Sequence, residues 1–469
     1  MVAFSPVHLQ NWSKGEWTSS PSDKLYGFSI DSRKISTGDV FVAIRSARDG
    51  HEFIKSAMEN GASAALVEDA VPSLSFAQLQ VENSPRAFLD IARGHRDSFQ
   101  HPVVAITGSC GKTSTKDAMA GLLNSPLFTL GNLNNHLGVP LTLLRLDSAI
   151  HRTAVIEVGI NHRGEMAGLT NCIAPDLVVI TMIGQSHLAG LGGIEGVAEE
   201  KSVLWRDSNA KAIFPESCLK YDAFGKLIRA GKSYLVLKKG EAPESLDPNS
   251  AYFEFWTETN KQGGSGVLKI WHPESSELEF VIPAMSDGMA SNMALSVLAS
   301  LELGISANQI SERLPQYKPP ALRGVRLQGR GREYFVDCYN ANPSSLRDSM
   351  EFFLNQSTGR KKMMILGGME ELGPDEEKLH QDTGGQIYLG EEDQVVLVGP
   401  KASWMASSII ENGARPEQVI VLECAEDCRS LVEDFEGNIF LKGSRKYKLE
   451  EIIPQWAVEQ AEPIESVLC

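Results

Sequence analysis

The residues with the plainest chemical content lie at 103–116, Val-Val-Ala-Ile-Thr-Gly-Ser-Cys-Gly-Lys-Thr-Ser-Thr-Lys. A β-branched apolar run from Val103 to Ile106 meets a glycine turn, then Lys112 and Thr113, and a helical pattern continues through Leu123. Strand, loop and helix in that order make a phosphate cradle. Glycines let backbone N–H groups approach an anion, the helix start adds the positive end of its dipole, and a lysine neutralises charge. Thr107, Gly108, Ser109, Cys110, Gly111, Lys112, Thr113 and Ser114 are therefore the expected ATP-binding loop, with Lys112 on the β- and γ-phosphates and the Thr113 hydroxyl on Mg²⁺. The commonest spacing of such loops puts a glycine at position 106, where this chain has Ile106, while the later glycines remain. An ordinary glycine turn between strand and helix is the competing reading.

A loop of this kind works only at the carboxyl edge of a parallel sheet, where ligands of α/β folds sit. Apolar runs ending at Thr107, at Glu157 and near Ile183, separated by helical stretches, predict such a sheet. Glu157 falls at a strand end, where a nucleotide enzyme needs a carboxylate for Mg²⁺. Strand-like runs at 251–256, 266–271 and 277–282 predict an antiparallel addition, and a helix from about 289 to 303 closes the unit. Before it, residues 1–100 read as a small α/β unit with strands at 39–44 and 64–67 and a helix at 52–60. Lys318-Pro-Pro-Ala-Leu-Arg-Gly is a linker, because paired prolines block helix and central strand alike. Beyond it, strand and helix alternate at 333–338, 344–354, 362–366, 376–389, 394–398, 402–412, 417–422, 426–434 and 437–441, the pattern of a small doubly wound, Rossmann-like domain without a GxGxxG turn. The expected division is 1–100, 101–318 and 319–469, all α/β.

Composition sets limits. The 469 residues exceed one core, and 42% apolar content suffices for globular folding. A formal charge of −16 argues against broad polyanion binding, so nucleic acid is not an expected partner and anionic substrates must meet local basic clusters. No run approaches the ~20 apolar residues of a membrane span, and no secretion signal opens the chain. Seven scattered cysteines read as reduced thiols in a cytoplasmic protein.

Taken together, the motifs resemble the Mur ligases of bacterial cell-wall synthesis along nearly the whole chain. The first unit contributes Asp31-Ser-Arg, Gly38-Asp-Val-Phe-Val-Ala and Asp49-Gly-His-Glu-Phe-Ile. The centre adds the phosphate loop, Gly131-Asn-Leu-Asn-Asn-His-Leu-Gly-Val-Pro-Leu-Thr, Glu157-Val-Gly-Ile-Asn-His-Arg-Gly-Glu-Met, Ser186-His-Leu and Glu199-Glu-Lys. The last third adds Asp337-Cys-Tyr-Asn-Ala-Asn-Pro-Ser-Ser, Leu366-Gly-Gly-Met-Glu-Glu-Leu-Gly and Lys442-Gly-Ser-Arg. The runs at 157–165 and 339–343 resemble those of the branch that joins D-alanyl-D-alanine to a UDP-N-acetylmuramoyl-tripeptide. The chain departs from that pattern in three places: Val336 and Gly368 each replace a carboxylate, and the turn before Asp49 is one residue short.

The resemblance implies an acyl-phosphate route, with ATP and Mg²⁺ as cofactors, the muramoyl-tripeptide and the dipeptide as small-molecule substrates, and a monomeric enzyme. It implies catalytic roles for Lys112, His187 and Lys201, His187 as a ligand of a second metal, and Lys201 as a ligand once carbamylated by CO₂. On local sequence alone, His187 is a strand-end histidine and Lys201 an ordinary helix lysine. The resemblance also places Asn292 on adenine, Arg323 on the phosphates, Asp337 on the ribose and Tyr339 beside the base. Ser32, Arg33, Asn134, Asn135 and His136 are the matching positions for the muramoyl substrate. Asn340, Asn342, Lys442, Ser444 and Arg445 are those for the dipeptide, whose carboxylate a basic residue would meet. Turn and cap roles compete for most of these. Two other readings stay open at this point: a sibling ligase adding one amino acid, and a non-catalytic ATP-binding regulator.

Overall fold

The structure, a computed structural model, describes residues 2–21, 24–258, 265–273 and 277–459. The last ten residues of the third expected unit lie outside the described residues. Three α/β sheets follow one another along the chain. The first has the order Glu16–Trp17, Gln78–Gln80, Ala64–Val67, Asp39–Val42, Gly27–Ser29, parallel except for its first strand.

The middle sheet has nine strands, and the phosphate-loop strand Val103–Thr107 lies between Leu177–Ile180 and Thr153–Glu157, parallel to both. All five of its residues are buried because both faces of the sheet are covered. Its side chains alternate between two cores, as strand geometry requires. Val103 and Ala105 join Ala154, Ile156, Val178 and Ile180 on one face. Val104 and Ile106 join Val155 and Val179 on the other, under the helices Lys112–Leu122 and Asp287–Glu302. The helix Ser84–Asp97, which lies within 1–100, packs Phe88 and Ile91 into the first of these cores. Its Arg96 donates to the Ile173 and Ala174 carbonyls and to Asp176, which ties the first unit to the middle one.

The runs expected at 251–256, 266–271 and 277–282 form Ser250–Glu258, Ser265–Trp271 and Glu277–Pro283, antiparallel to one another. Ser250–Glu258 pairs parallel with Tyr234–Lys239, so the addition continues the main sheet instead of standing apart. The third sheet runs Val325–Gly329, Arg332–Val336, Asn438–Lys442, Lys362–Gly367, Gln394–Val398, Val419–Leu422, parallel after its first pair. That first strand was absent from the expectation. It is joined to Arg332–Val336 by Arg330 and Gly331, both at positive φ (50° and 76°), the tight hairpin turn whose twist suits paired strands. The helix expected at 402–412 is broken into Pro400–Ser403 and Ala406–Glu411, and that at 376–389 stops at Gly384, where glycines 384 and 385 withdraw helix propensity. Among the described residues no helix is long and apolar enough to cross a membrane, and six cysteines are free thiols.

Candidate active site

Parallel register brings the carboxyl ends of three middle-sheet strands together: Ile106 pairs with Glu157 and Thr107 with Ile180. The loop between Thr107 and Lys112 crosses this edge. Gly108 and Gly111 hold φ values of 152° and 84°, and a Cβ at either would strike the Thr181 hydroxyl or the Asn292 amide. Only glycine is free of both penalties here. Neighbouring chain fixes the loop: Ser109 Oγ donates to the Gly184 carbonyl and accepts from Gly184 N, both at 2.9 Å, and the Thr181 hydroxyl donates to the Cys110 carbonyl. Lys112 opens the helix Lys112–Leu122 and donates to the Gly108 carbonyl at 2.7 Å. Burial pushes its ammonium pKa down and the Glu157 charge opposes that shift, so the site favours an anion that completes the lysine's surroundings.

Glu157 is 2% exposed. Its Oε1 accepts from Asn134 Nδ2 at 2.8 Å, while its Oε2 is buried without a partner. A buried carboxylate oxygen left bare is costly unless a cation or donor meets it. Lys201, on Ile194–Arg206, is fully buried with an unpartnered Nζ, and burial, helped by the nearby Lys112 charge, drives its pKa well below the usual lysine value. His187 stands at φ 51°, and its Nδ1 lies 2.5 Å from Glu371 Oε2 of the third unit, itself at φ 63°. Burial lowers the imidazole pKa against the pull of Glu371.

A cavity of ≈ 730 Å³ opens over this edge, and the third sheet forms its opposite wall. It gathers Ser109 to Ser114, Asn134, Asn135, His136, Glu157, His187 and Asn292 with Arg323, Asp337, Tyr339, Asn340, Asn342 and Lys442. The Arg323 guanidinium stacks 4.0 Å above the Tyr339 ring. Lys442, 2% exposed, donates to Asp337 Oδ2 at 2.6 Å and to the Asn340 carbonyl at 3.2 Å. Several expected ligand contacts have local partners. Asn135 Oδ1 accepts from Leu137 N and Gly138 N, and Asn342 caps the helix Pro343–Gln356 through Ser345 N. Asn340 Oδ1 accepts from Ala341 N.

Other expected residues line no part of this cavity. Ser32 is buried, and its carbonyl accepts from Asn60 Nδ2; Arg33 forks onto Asp31 at 2.9 and 2.8 Å. Ser444 Oγ accepts from Glu370 N, and Arg445 pairs with Glu450. Lys201 is fully buried outside the cavity lining, close enough to Lys112 for their charges to interact. The sequence assigns no role to Glu371 or Asp348, whose importance comes from the middle-unit groups they meet, His187 for Glu371 and Ser286 with Gly288 for Asp348.

The two missing carboxylates have physical reasons. Val336 is 1% exposed in the core of the third unit, where a charge would be buried. At Gly368 the space for a side chain is already filled by Tyr447 and Lys401, and Lys401 bridges Glu370 and Glu376 at 2.8 and 2.7 Å.

Comparison with known proteins adds the decisive observation. Three family descriptions match in succession: "Mur ligase family, catalytic domain" over residues 24–91, "Mur ligase middle domain" over 106–300, and "Mur ligase, glutamate ligase domain" over 323–443. A UDP-N-acetylmuramoyl-tripeptide–D-alanyl-D-alanine ligase of Buchnera aphidicola subsp. Baizongia pistaciae is 30% identical, over 85% of this chain and 86% of its own. The chain belongs to the Mur ligase family. Among solved Mur ligases, MurF from Acinetobacter baumannii superposes with a TM-score of 0.83 at 27% identity, covering 96% of this chain and 98% of that one. MurF from Thermotoga maritima, solved in complex with ADP, gives 0.77 at 26% identity, covering 91% and 96%. The match extends through all three sheets, so the cavity between the second and third belongs to the shared Mur ligase frame.

Proposed function

We infer that this chain joins D-alanyl-D-alanine to UDP-N-acetylmuramoyl-tripeptide at the expense of ATP, giving the UDP-linked pentapeptide, ADP and phosphate for peptidoglycan synthesis. The observation that carries this reading is the near full-length similarity to ligases named for that reaction, together with a phosphate loop that opens onto a two-walled cavity. A carboxylate is a poor electrophile. Its oxygen therefore attacks the γ-phosphorus, ADP leaves, and the dipeptide amine then attacks the acyl carbon. Phosphate departs with one former carboxylate oxygen, and the amine loses a proton. Charge gathers on phosphoryl oxygens in both steps, so placed cations dominate catalysis.

Within this reading Lys112 and the N–H groups of 108–114 hold the β- and γ-phosphates. Arg323 reaches the phosphates from the opposite wall, Asn292 and Tyr339 border the base, and Asp337 faces the ribose. The walls exclude water from a hydrolysable intermediate. Asn134 holds one oxygen of Glu157 and leaves the other available. That bare oxygen fits a divalent cation, as do the Thr113 hydroxyl and His187, and Mg²⁺ held there supplies positive charge to the phosphate oxygens. Lys201 fits the same purpose in modified form. Burial disfavours the charged form of this amine, and an amine in its neutral form can add to CO₂, forming an N–C bond and losing a proton, which would turn an unpartnered base into an oxygen ligand. His136, Asn340 and Lys442 face the cavity as candidates for the two peptide substrates, with Ser32 and Arg33 on the first unit for the uridine diphosphate end. We place the enzyme in the cytoplasm as a monomer.

The test is a substrate panel. The chain is incubated with ATP, Mg²⁺ and D-Ala-D-Ala, with a UDP-muramoyl-tripeptide carrying either meso-diaminopimelate or lysine at its third position, and products are weighed by mass spectrometry. Pentapeptide with matched phosphate release is expected from one tripeptide or both. Addition of a single amino acid would favour the sibling-ligase reading, and nucleotide binding without turnover would favour a regulator.

A further inference from the structure

The start of the helix Asp287–Glu302 is closed by a residue from the opposite wall. This helix carries Asn292 against Gly111 of the phosphate loop. Its own first acidic side chain, Asp287, turns outward to Lys239 at 2.5 Å. In its place Asp348, on the third unit's helix Pro343–Gln356, accepts from Ser286 Oγ at 2.6 Å and from Gly288 N at 2.8 Å. Gly288 fits the same contact, since a Cβ there would stand 2.7 Å from Asp348 Oδ2. Ser286 is 4% exposed and also accepts from Met289 N, so its one proton is committed to Asp348 while its oxygen caps the helix.

We propose that Asp348 is a positioning residue that seats the third unit on the Asn292 helix and, beside the His187–Glu371 pair, sets the distance between the two walls of the nucleotide cavity. Three observations support it. The carboxylate accepts from the hydroxyl of the N-cap Ser286, which itself caps Met289 N, and from the helix-end Gly288 N, charge-assisted pairings stronger than neutral ones. The contact spans the linker that carries Arg323, which separates the two walls in sequence. Burial raises the Asp348 pKa while both hydrogen bonds oppose it, so the two donors across the contact offset part of the cost of taking the carboxylate out of water. Asp348 lines the same cavity, but both of its carboxylate oxygens are engaged by Ser286 and Gly288, so it acts through the wall it holds.

The inference rests on the ligase reading only for the identity of the nucleotide, and its test reads binding and dimensions. The intact chain is compared with Asp348→Ala, Asp348→Asn and Gly288→Ala, and with Asp287→Asn as a control at the same helix end. ATP affinity is measured by calorimetry, and the radius of gyration by X-ray scattering with and without nucleotide. If the closed population falls to about a tenth, ATP affinity drops about tenfold. The nucleotide-free variants are larger than wild type, saturating ATP restores both their dimensions and kcat, and KM for ATP carries the defect. Asp287→Asn matches wild type. Unchanged ATP affinity and unchanged dimensions in folded Asp348→Ala would overturn the proposal. Should that variant not fold, Asp348→Asn and Gly288→Ala decide by the same two readings. A wild-type chain that binds ATP but ligates nothing would sink the ligase reading and leave this test intact.

Discussion

Lys112→Met is expected to lower kcat/KM for ATP-dependent ligation by about 10²–10³-fold, the loss typical when one fixed charge stabiliser is removed from a site of developing negative charge. Structure gives this substitution little else to disturb. The ammonium makes one hydrogen bond, to the Gly108 carbonyl, and sits where burial already disfavours its charge. Methionine keeps the stem's volume, so the thermal midpoint should stay at or above that of wild type. The glycine loop would persist as well, because its ties run through Ser109, Thr181 and Gly184. Steady-state kinetics beside a melting curve separates the outcomes. A folded Lys112→Met enzyme within a few-fold of wild-type activity would remove the lysine from the phosphates.

Lys201→Ala is expected to lose most activity, by about 10²-fold if the residue contributes one charged ligand to the phosphate-binding cation. Added bicarbonate should not restore it, because alanine has no amine to carbamylate. Wild-type enzyme stripped of dissolved CO₂ should lose activity and regain it with bicarbonate. The second half of this prediction concerns stability. An unpartnered amine in a fully buried position costs free energy that an apolar side chain avoids. Lys201→Met should therefore melt higher than the unmodified chain while staying inactive, the trade expected of a residue kept for function. Near-normal turnover of Lys201→Ala would exclude the residue from the mechanism.

The phosphate loop was legible because local sequence determines it: an apolar strand, glycines at strained positions and a helix start within fourteen residues. Glu157 was legible as the polar end of an apolar run, and the strand order confirms that it stands beside Ile106. Short strands such as Pro126–Phe128 and Lys211–Pro215 escaped, since they are bounded weakly and gain their identity from neighbours in the sheet. The hairpin at 330–331 could have been found from its glycine turn between alternating residues. Asp348 and Glu371 could not. Asp348 is an ordinary acidic residue along the sequence, Glu371 stands in the 366–373 run with nothing to say what it meets, and only the docking of the third wall brings Asp348 to Ser286 and Glu371 to His187. Asn134 shows the reverse case. Expected as a substrate contact, it holds Glu157 in place, a role that depends on a fold-back no spacing reveals.

The proposed route has ATP phosphorylate a peptide's terminal acid. Its most direct test follows oxygen atoms: UDP-muramoyl-tripeptide labelled with ¹⁸O in the terminal carboxylate is ligated to D-Ala-D-Ala, and the released phosphate is weighed. The acyl-phosphate route predicts one ¹⁸O in each phosphate and one retained in the new amide carbonyl. Pentapeptide formed with unlabelled phosphate would contradict it.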